Sequence, residues 1–418
     1  MTSLRKVLFL PFHGIGHFHG LFGVARALQK THRVVFAADP YFRQLVVTRG
    51  FEFLGLNSYP FGIGLEGWIN ESVKKLKRPL LQTIADRWSD RLYNERKAEL
   101  TNIMREVDPD HVLIDVQQAT DVLVVKAVDP SARISMLSTA PPYLLIPGLP
   151  PVNSLALPGD DSRHALRESV NKIRRRVWSQ RLKYFGMDDR TIVGRRLRRN
   201  GMTHLKDVYP SLISLAVKDV EQYVLTYKEF DFYHPYLNRF HYVGPHVDTE
   251  YVEPHAEEYR AICERTKEAG KMIIYCSFGT VTAGKDVDDF VNKLRDAVRG
   301  LDCELLIAGP RNWLPQSTIL QYADLFITHG GMNSVHDAIR SKTPMIVYPV
   351  DDNYDQPGNS SRVAHIGFGL RGDLRTATSE SIRQKIDMIL ADVNFRKNLQ
   401  AFNPPSYTTE AFVVRLLS

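Results

Sequence analysis

Three cysteines in 418 residues, Cys263, Cys276 and Cys303, are too few and too scattered for a disulfide framework or a thiolate metal site. They read as small apolar residues buried in a protein of a reducing compartment. No apolar run is long enough to span a bilayer. The chain opens on a strand-like segment, RKVLFLPF, without a cleavable leader pattern, so a cytoplasmic location is expected. Internal repeats and low-complexity tracts are absent, which excludes solenoids and fibres.

The composition that remains is that of an ordinary globular protein, 44% hydrophobic and 24% charged. A chain of 418 residues exceeds one core, so two domains are expected. The net charge of +7 suits a nucleoside diphosphate, another polyanion or an acidic membrane, and requires none of them.

The first third alternates strand and helix patterns. Strands are predicted over 6–12, 33–38, 51–56, 111–116 and 134–137, with helices over 21–30, 41–49 and 79–106. Such alternation predicts a parallel sheet covered by helices on both faces. Two irregular stretches interrupt it, the glycine- and aromatic-rich YPFGIGLEGW and the proline-rich TAPPYLLIPGLPPVNSLALPG. After the acidic TEYVEPHAEEY the pattern restarts. Strands follow over 272–276, 304–308, 325–328 and 345–348, with a short edge over 367–370 and helices over 287–299 and 379–391. The division is a first domain over 1–243, a linker over 244–260 and a second domain over 261–399.

Between the first strand and first helix lies HGIGHFHG, His13 to Gly20, where open parallel sheets bind ligands. Three readings stand. A zinc site would use His13, His17 and His19, but no carboxylate or cysteine completes a ligand set there. Dinucleotide binding would use the glycines with Asp39, but their spacing is one residue longer than the fingerprint. General-base catalysis would use an imidazole to take a proton from an alcohol.

The stretch from Trp313 to Gln356 is the most specific in the chain. It reads WLPQ, then FITHGGMNSVHDAIR, then PMIVYPV and DQPGN. An apolar strand enters His329, Gly330 and Gly331, and Asn333 and Ser334 open a helix. A strand–glycine turn–helix unit aims backbone N–H groups and a helix dipole at an anion. Trp313 offers a flat face to a base, Asp337 can accept from ribose hydroxyls, and Asp355 and Gln356 follow the next strand, within reach of a sugar.

This constellation resembles the donor-binding signature of the UDP-dependent glycosyltransferases of family 1, as found in bacterial natural-product and lipid glycosyltransferases. Departures are Met332 where many plant members have Trp, Asp337 in place of the usual Glu, and a Pro349–Asp355 interval about two residues longer. The resemblance implies an α/β GT-B fold, two doubly wound Rossmann-like domains facing across a cleft, with 400–418 packing back on the first. It implies that Trp313 stacks on uracil and Gln316 reaches the ribose or base edge. His329, Gly331, Asn333 and Ser334 would contact the diphosphate, with Thr280 near the distal phosphate. Asp337 would hold the ribose, and Asp355 and Gln356 the sugar. His17 becomes the general base and Asp115 its partner. His13, Phe61, Trp68 and Tyr143 would line the acceptor site.

The implied reaction is inverting, metal-independent transfer of a hexosyl group from a UDP-sugar to a hydroxyl of a lipophilic or aromatic acceptor, with no cofactor. A UDP-sugar epimerase and a non-catalytic nucleotide-binding auxiliary protein remain alternatives. The basic segment 163–206 (RRRVW, QRLKYF, GRRLRR) is either a solvated helical face around the acceptor channel or a contact for anionic lipid headgroups. No nucleic-acid module accompanies it, so nucleic acid is not an expected partner.

Overall fold

The computed structural model describes residues 4–75, 79–279, 285–309, 312–404 and 409–417. Its strands form two parallel sheets. The first holds β1 (Arg5–Leu10), β2 (His32–Ala38), β3 (Glu52–Gly55), β4 (His111–Asp115), β5 (Ile134–Ser138), β6 (Glu221–Val224) and β7 (His241–Tyr242), in the order β3-β2-β1-β4-β5-β6-β7. The second holds β8 (Met272–Ser277), β9 (Cys303–Ala308), β10 (Leu325–Thr328), β11 (Met345–Val347) and β12 (Gly369–Arg371), in the order β12-β11-β10-β8-β9.

Helices cover both faces of each sheet, so the central strands are apolar on both sides. Along β1, Leu8 and Leu10 enter one core and Val7 and Phe9 the other, the period of two of a pleated strand. Two-sided burial explains why β1 and β10 were legible as continuous apolar runs. β6 was not anticipated: EQYV is short and buries only Tyr223 and Val224.

Three expectations are corrected. The stretch read as one helix over 79–106 is two, Leu80–Trp88 and Arg91–Val107, broken at Asp90 with φ 59°. Arg195, Arg196 and Arg199 converge on the Asp90 carboxylate, which holds that break in place. The segment read as linker is shorter, because helix Ala256–Glu268 begins inside it, with Glu257 and Glu258 in its first turn favoured by the helix dipole. The first helix runs Ile15–Gln29, so most of HGIGHFHG is helix and not loop. Its glycines serve close packing: a Cβ at Gly20 would sit 2.6 Å from Thr139 Cγ2, and one at Gly23 would strike the His246 carbonyl.

The chain ends in helix Thr409–Leu417, which sends Phe412 and Leu416 into the core of the first domain. Phe412 stacks on His246 with ring centroids 4.9 Å apart, and Arg133 donates to the Leu416 carbonyl at 3.0 Å.

Strand order fixes where ligands can bind. It reverses between β1 and β4 in the first sheet and between β8 and β10 in the second. Connections leaving two such strands go to opposite faces and open a crevice at the carboxyl ends. His17 and Asp115 lie at the first reversal, and Ser277 to Gly279 with His329 to Gly331 at the second. The two crevices face each other: Asn333 Nδ2 donates to the Gly16 carbonyl at 2.7 Å, and Gly358 N–H to the Val152 carbonyl at 2.9 Å.

Candidate active site

His17 is the third residue of the first helix, after Gly14 in the extended N-cap position. Its Nδ1 lies 2.7 Å from Asp115 Oδ2. A carboxylate only accepts, so Nδ1 carries the proton and Nε2 is left as the basic nitrogen. Asp115 is 1% exposed at its side chain and ends β4; its Oδ1 accepts the Gln117 N–H at 2.8 Å. Burial opposes charge on His17, but Asp115, and then Asp355 from the second domain, outweigh it and raise the imidazole pKa above 6.5.

The neighbouring histidines have the opposite environment. Burial, then Arg96, lowers His13 to about 3, and burial with Arg49 lowers His19 to about 4. Of the three histidines in the motif, only His17 is tuned upward and paired with a carboxylate. Asp39 is spent on the Tyr41 N–H at 3.0 Å as a helix cap. Among the described residues no three His, Cys, Asp or Glu side chains converge as metal ligands.

In the second domain β10 runs into Gly330, whose φ of 83° is left-handed, and Gly331 caps helix Met332–Ser341. A Cβ at Gly330 would meet Val347 Cγ1 at 2.5 Å, and one at Gly331 would meet His329 Nε2 at 2.5 Å. His329 is lowered to about 4 by burial, so at neutral pH its ring is an uncharged N–H donor. Met332 is buried core beneath the helix start.

Trp313 is 40% exposed. Gln316 donates from Nε2 to Asp337 Oδ2 at 2.7 Å, and Ser334 Oγ lies 3.4 Å from the same nitrogen. Arg340 donates to Asp337 Oδ1 at 2.6 Å. Burial still pushes the Asp337 carboxyl above its usual range, against Arg340 and Gln316. Asp355 precedes helix Gln356–Ile366 and accepts from Asn359 Nδ2 at 2.8 Å; burial raises its pKa, against Asn359 and His17. Gln356 Oε1 accepts from the Val350 and Asp351 N–H groups at 2.8 and 3.0 Å, which shapes the turn before the helix. Thr280 lies outside the described residues.

On the acceptor side, Tyr143 is buried and its hydroxyl accepts from Gln117 Nε2 at 2.7 Å. Burial, then Asp355, keeps that phenol well above its ordinary pKa. Trp68 is 42% exposed. Phe61 is a core residue, 2% exposed and edge-on to Tyr93 at 5.3 Å. An aromatic in a glycine-rich segment looks the same in sequence whether it lines a cleft or plugs a core.

Three residues went unnoticed in the sequence. Asn359, fully buried, also donates to the Gly330 carbonyl at 2.9 Å and so joins the sugar-side loop to the glycine turn. Its i+4 spacing from Asp355 was the available signal. Gln117 connects Asp115 to Tyr143. Glu253 accepts from the Ser317 and Thr318 N–H groups at 3.2 and 3.1 Å, capping the helix after Trp313 from the interdomain segment.

The family model for UDP-glucoronosyl and UDP-glucosyl transferase matches residues 209–403. The zeaxanthin glucosyltransferase of Pantoea ananas is 26% identical over 420 residues, covering 93% of this chain and 89% of that protein. An uncharacterized UDP-glucosyltransferase of Bacillus subtilis, YdhE, is 31% identical over 150 residues, 31% of this chain and 36% of its own length. The matched domain and these relatives support a family 1 glycosyltransferase. The crystal structure of the kitacinnamycin glycotransferase superposes with a TM-score of 0.65 at 18% identity, covering 100% of both chains, and gives the GT-B fold. The family description names UDP-sugar transferases, and in this chain the two crevices face each other. No described helix is long and apolar enough to cross a membrane.

Proposed function

We propose that the protein transfers a hexosyl group from a UDP-sugar to a hydroxyl of a lipophilic or aromatic acceptor, with inversion and without a metal ion. The observation that carries this reading is the His17–Asp115 pair, with Asp355 of the facing domain in electrostatic reach of the same imidazole.

The acceptor oxygen attacks the anomeric carbon from the face opposite UDP, and its proton passes to His17 Nε2. The anomeric C–O bond to the diphosphate breaks, and its electron pair leaves with UDP. Asp115 holds the ring in the required tautomer and offsets the imidazolium charge. Charge growing on the diphosphate meets the N-terminus of helix Met332–Ser341, with Gly331, Asn333 and Ser334, and the neutral N–H of His329. Thr280 serves the distal phosphate. Trp313 offers its exposed face to uracil, Gln316 and Asp337 hold the ribose, and Asp355 and Gln356 hold the sugar.

His13, Trp68 and Tyr143 line the acceptor side, with Phe61 behind them. The relative named for zeaxanthin, similar along nearly the whole chain, favours a lipophilic acceptor. An acceptor of that kind is held in a lipid phase, and the basic segment 163–206 suits the anionic surface of one.

The test is UDP release from a panel of UDP-sugars with phenolic, polyketide and carotenoid-type alcohols, with and without a chelator. Lipophilic alcohols are expected to be glycosylated with inverted anomeric configuration and undiminished rate in chelator. Transfer only to sugars or peptides, or retained configuration, overturns the reading.

A further inference from the structure

The basic segment divides in the structure. Residues 160–206 hold fourteen Lys and Arg against five Asp and Glu, a net +9 in a chain whose total is +7. In helix Asp189–Arg199 the arginines are largely spent inward: Arg195, Arg196 and Arg199 converge on Asp90, and Arg190 donates to the Ser211 carbonyl at 2.7 Å.

Helix Asp160–Lys183 differs at its C-terminal end. Trp178 is 65% exposed, Leu182 60% and Phe185, just past the helix, 68%. The four-residue spacing places Trp178 and Leu182 in a stripe on one face of the helix, and Phe185 follows in the turn just past its end. Arg174 and Arg175 extend that stripe by one turn and are exposed. Among the described residues neither forms a salt bridge, whereas Arg176 and Arg181 face Asp189 and Asp188. Isolated exposed apolar side chains need no explanation. Three large ones within eight residues, on the most cationic segment of the chain, do.

The stripe has neighbours of the same kind and a short path to the cleft. Helix Leu80–Trp88 exposes Leu81 (77%) and Trp88 (52%). Its Arg87 lies 4.0 Å over the Tyr184 ring and donates to the Met187 carbonyl at 3.0 Å, fixing it beside the turn that carries Phe185. At the other end of the stripe, Arg176 lies 3.9 Å from Asp189, against which Gly64 of the glycine-aromatic acceptor segment packs.

We propose that this stripe docks the protein on an anionic lipid surface, with Trp178, Leu182 and Phe185 entering the headgroup layer and Arg174 and Arg175 facing lipid phosphates. Aromatic rings settle at the membrane–water boundary, and arginine stems lie along apolar matter while their heads stay in the polar layer. The contact needs both components, since apolar insertion and attraction to anionic lipid add. The acceptor side of the cleft then opens beside the phase that holds a lipophilic alcohol. To that extent the inference rests on the proposed function.

The full chain is tested by co-sedimentation with vesicles of phosphatidylglycerol and phosphatidylcholine, and with phosphatidylcholine alone. Binding is expected to the anionic vesicles and to fall at high salt. Arg174→Gln with Arg175→Gln is expected to weaken it about thirtyfold, and Trp178→Ala about tenfold. UDP release with a water-soluble acceptor should be unchanged in both variants, which shows that they are folded. Equal binding to uncharged vesicles, no binding, insensitivity to both variants, or preference for RNA over vesicles overturns the proposal. Transfer activity without vesicle binding sinks the docking alone; vesicle binding without transfer sinks the catalytic reading alone.

Discussion

Asp115 turns its two carboxylate oxygens to different tasks: Oδ2 meets His17 Nδ1 at 2.7 Å, and Oδ1 accepts the Gln117 N–H at 2.8 Å. The second bond fixes the carboxylate, so the first can fix the ring. Asp115→Asn keeps the shape but offers an amide where a carboxylate stabilised the imidazolium. Turnover is expected to fall about a hundredfold to ten-thousandfold, with UDP affinity by calorimetry nearly intact. Wild-type turnover in this variant removes the catalytic role of the pair.

The pH profile follows from the same geometry. A base works only when neutral, and Asp115 and Asp355 hold the His17 pKa above 6.5 against burial. In kcat/KM the acid limb is therefore expected to rise with pH through a midpoint above 6.5. Asp355→Asn removes one of the two charges, so the midpoint moves to lower pH. An unmoved midpoint shows that the two domains do not share the field at His17.

Asp337 is held by Gln316 at 2.7 Å and Arg340 at 2.6 Å, with its carboxylate at the edge of the donor crevice. Asp337→Ala is expected to weaken UDP binding about tenfold to a hundredfold, the scale of hydrogen bonds to a charged group. Isothermal titration of UDP decides it, and unchanged affinity removes the ribose role.

Gly330 is required twice, by its φ of 83° and by Val347, whose Cγ1 would lie 2.5 Å from a new Cβ. Gly330→Ala is expected to cost about 1–3 kcal/mol in urea unfolding. Gly50 also has positive φ, 76°, but a Cβ added there would find nothing within 4 Å. Gly50→Ala should cost only about 1 kcal/mol, the backbone part. Equal losses in both variants contradict the packing argument.

Much of the fold was legible because strands buried on both faces and amphipathic helices carry their pattern locally. β10 and helix Ser379–Ala391 begin and end where that pattern does. What failed was non-local. Gly16 and Gly20 looked like turn residues, yet Gly20 is a helix residue pressed against Thr139 and Gly16 receives the Asn333 amide from the other domain. Phe61 read as a cleft aromatic and packs as core.

The order of residue types alone determined two α/β units, the glycine turn with its helix start, and the chemical inventory of both crevices. It could not say which of three neighbouring histidines is paired with a carboxylate and has its pKa raised. Proton affinity is set by burial and by charges brought close in space, and Asp115 and Asp355 lie 98 and 338 positions along the chain from His17. Only the tertiary structure brings those carboxylates to one imidazole, and only it separates the arginines consumed by Asp90 from those left facing outward.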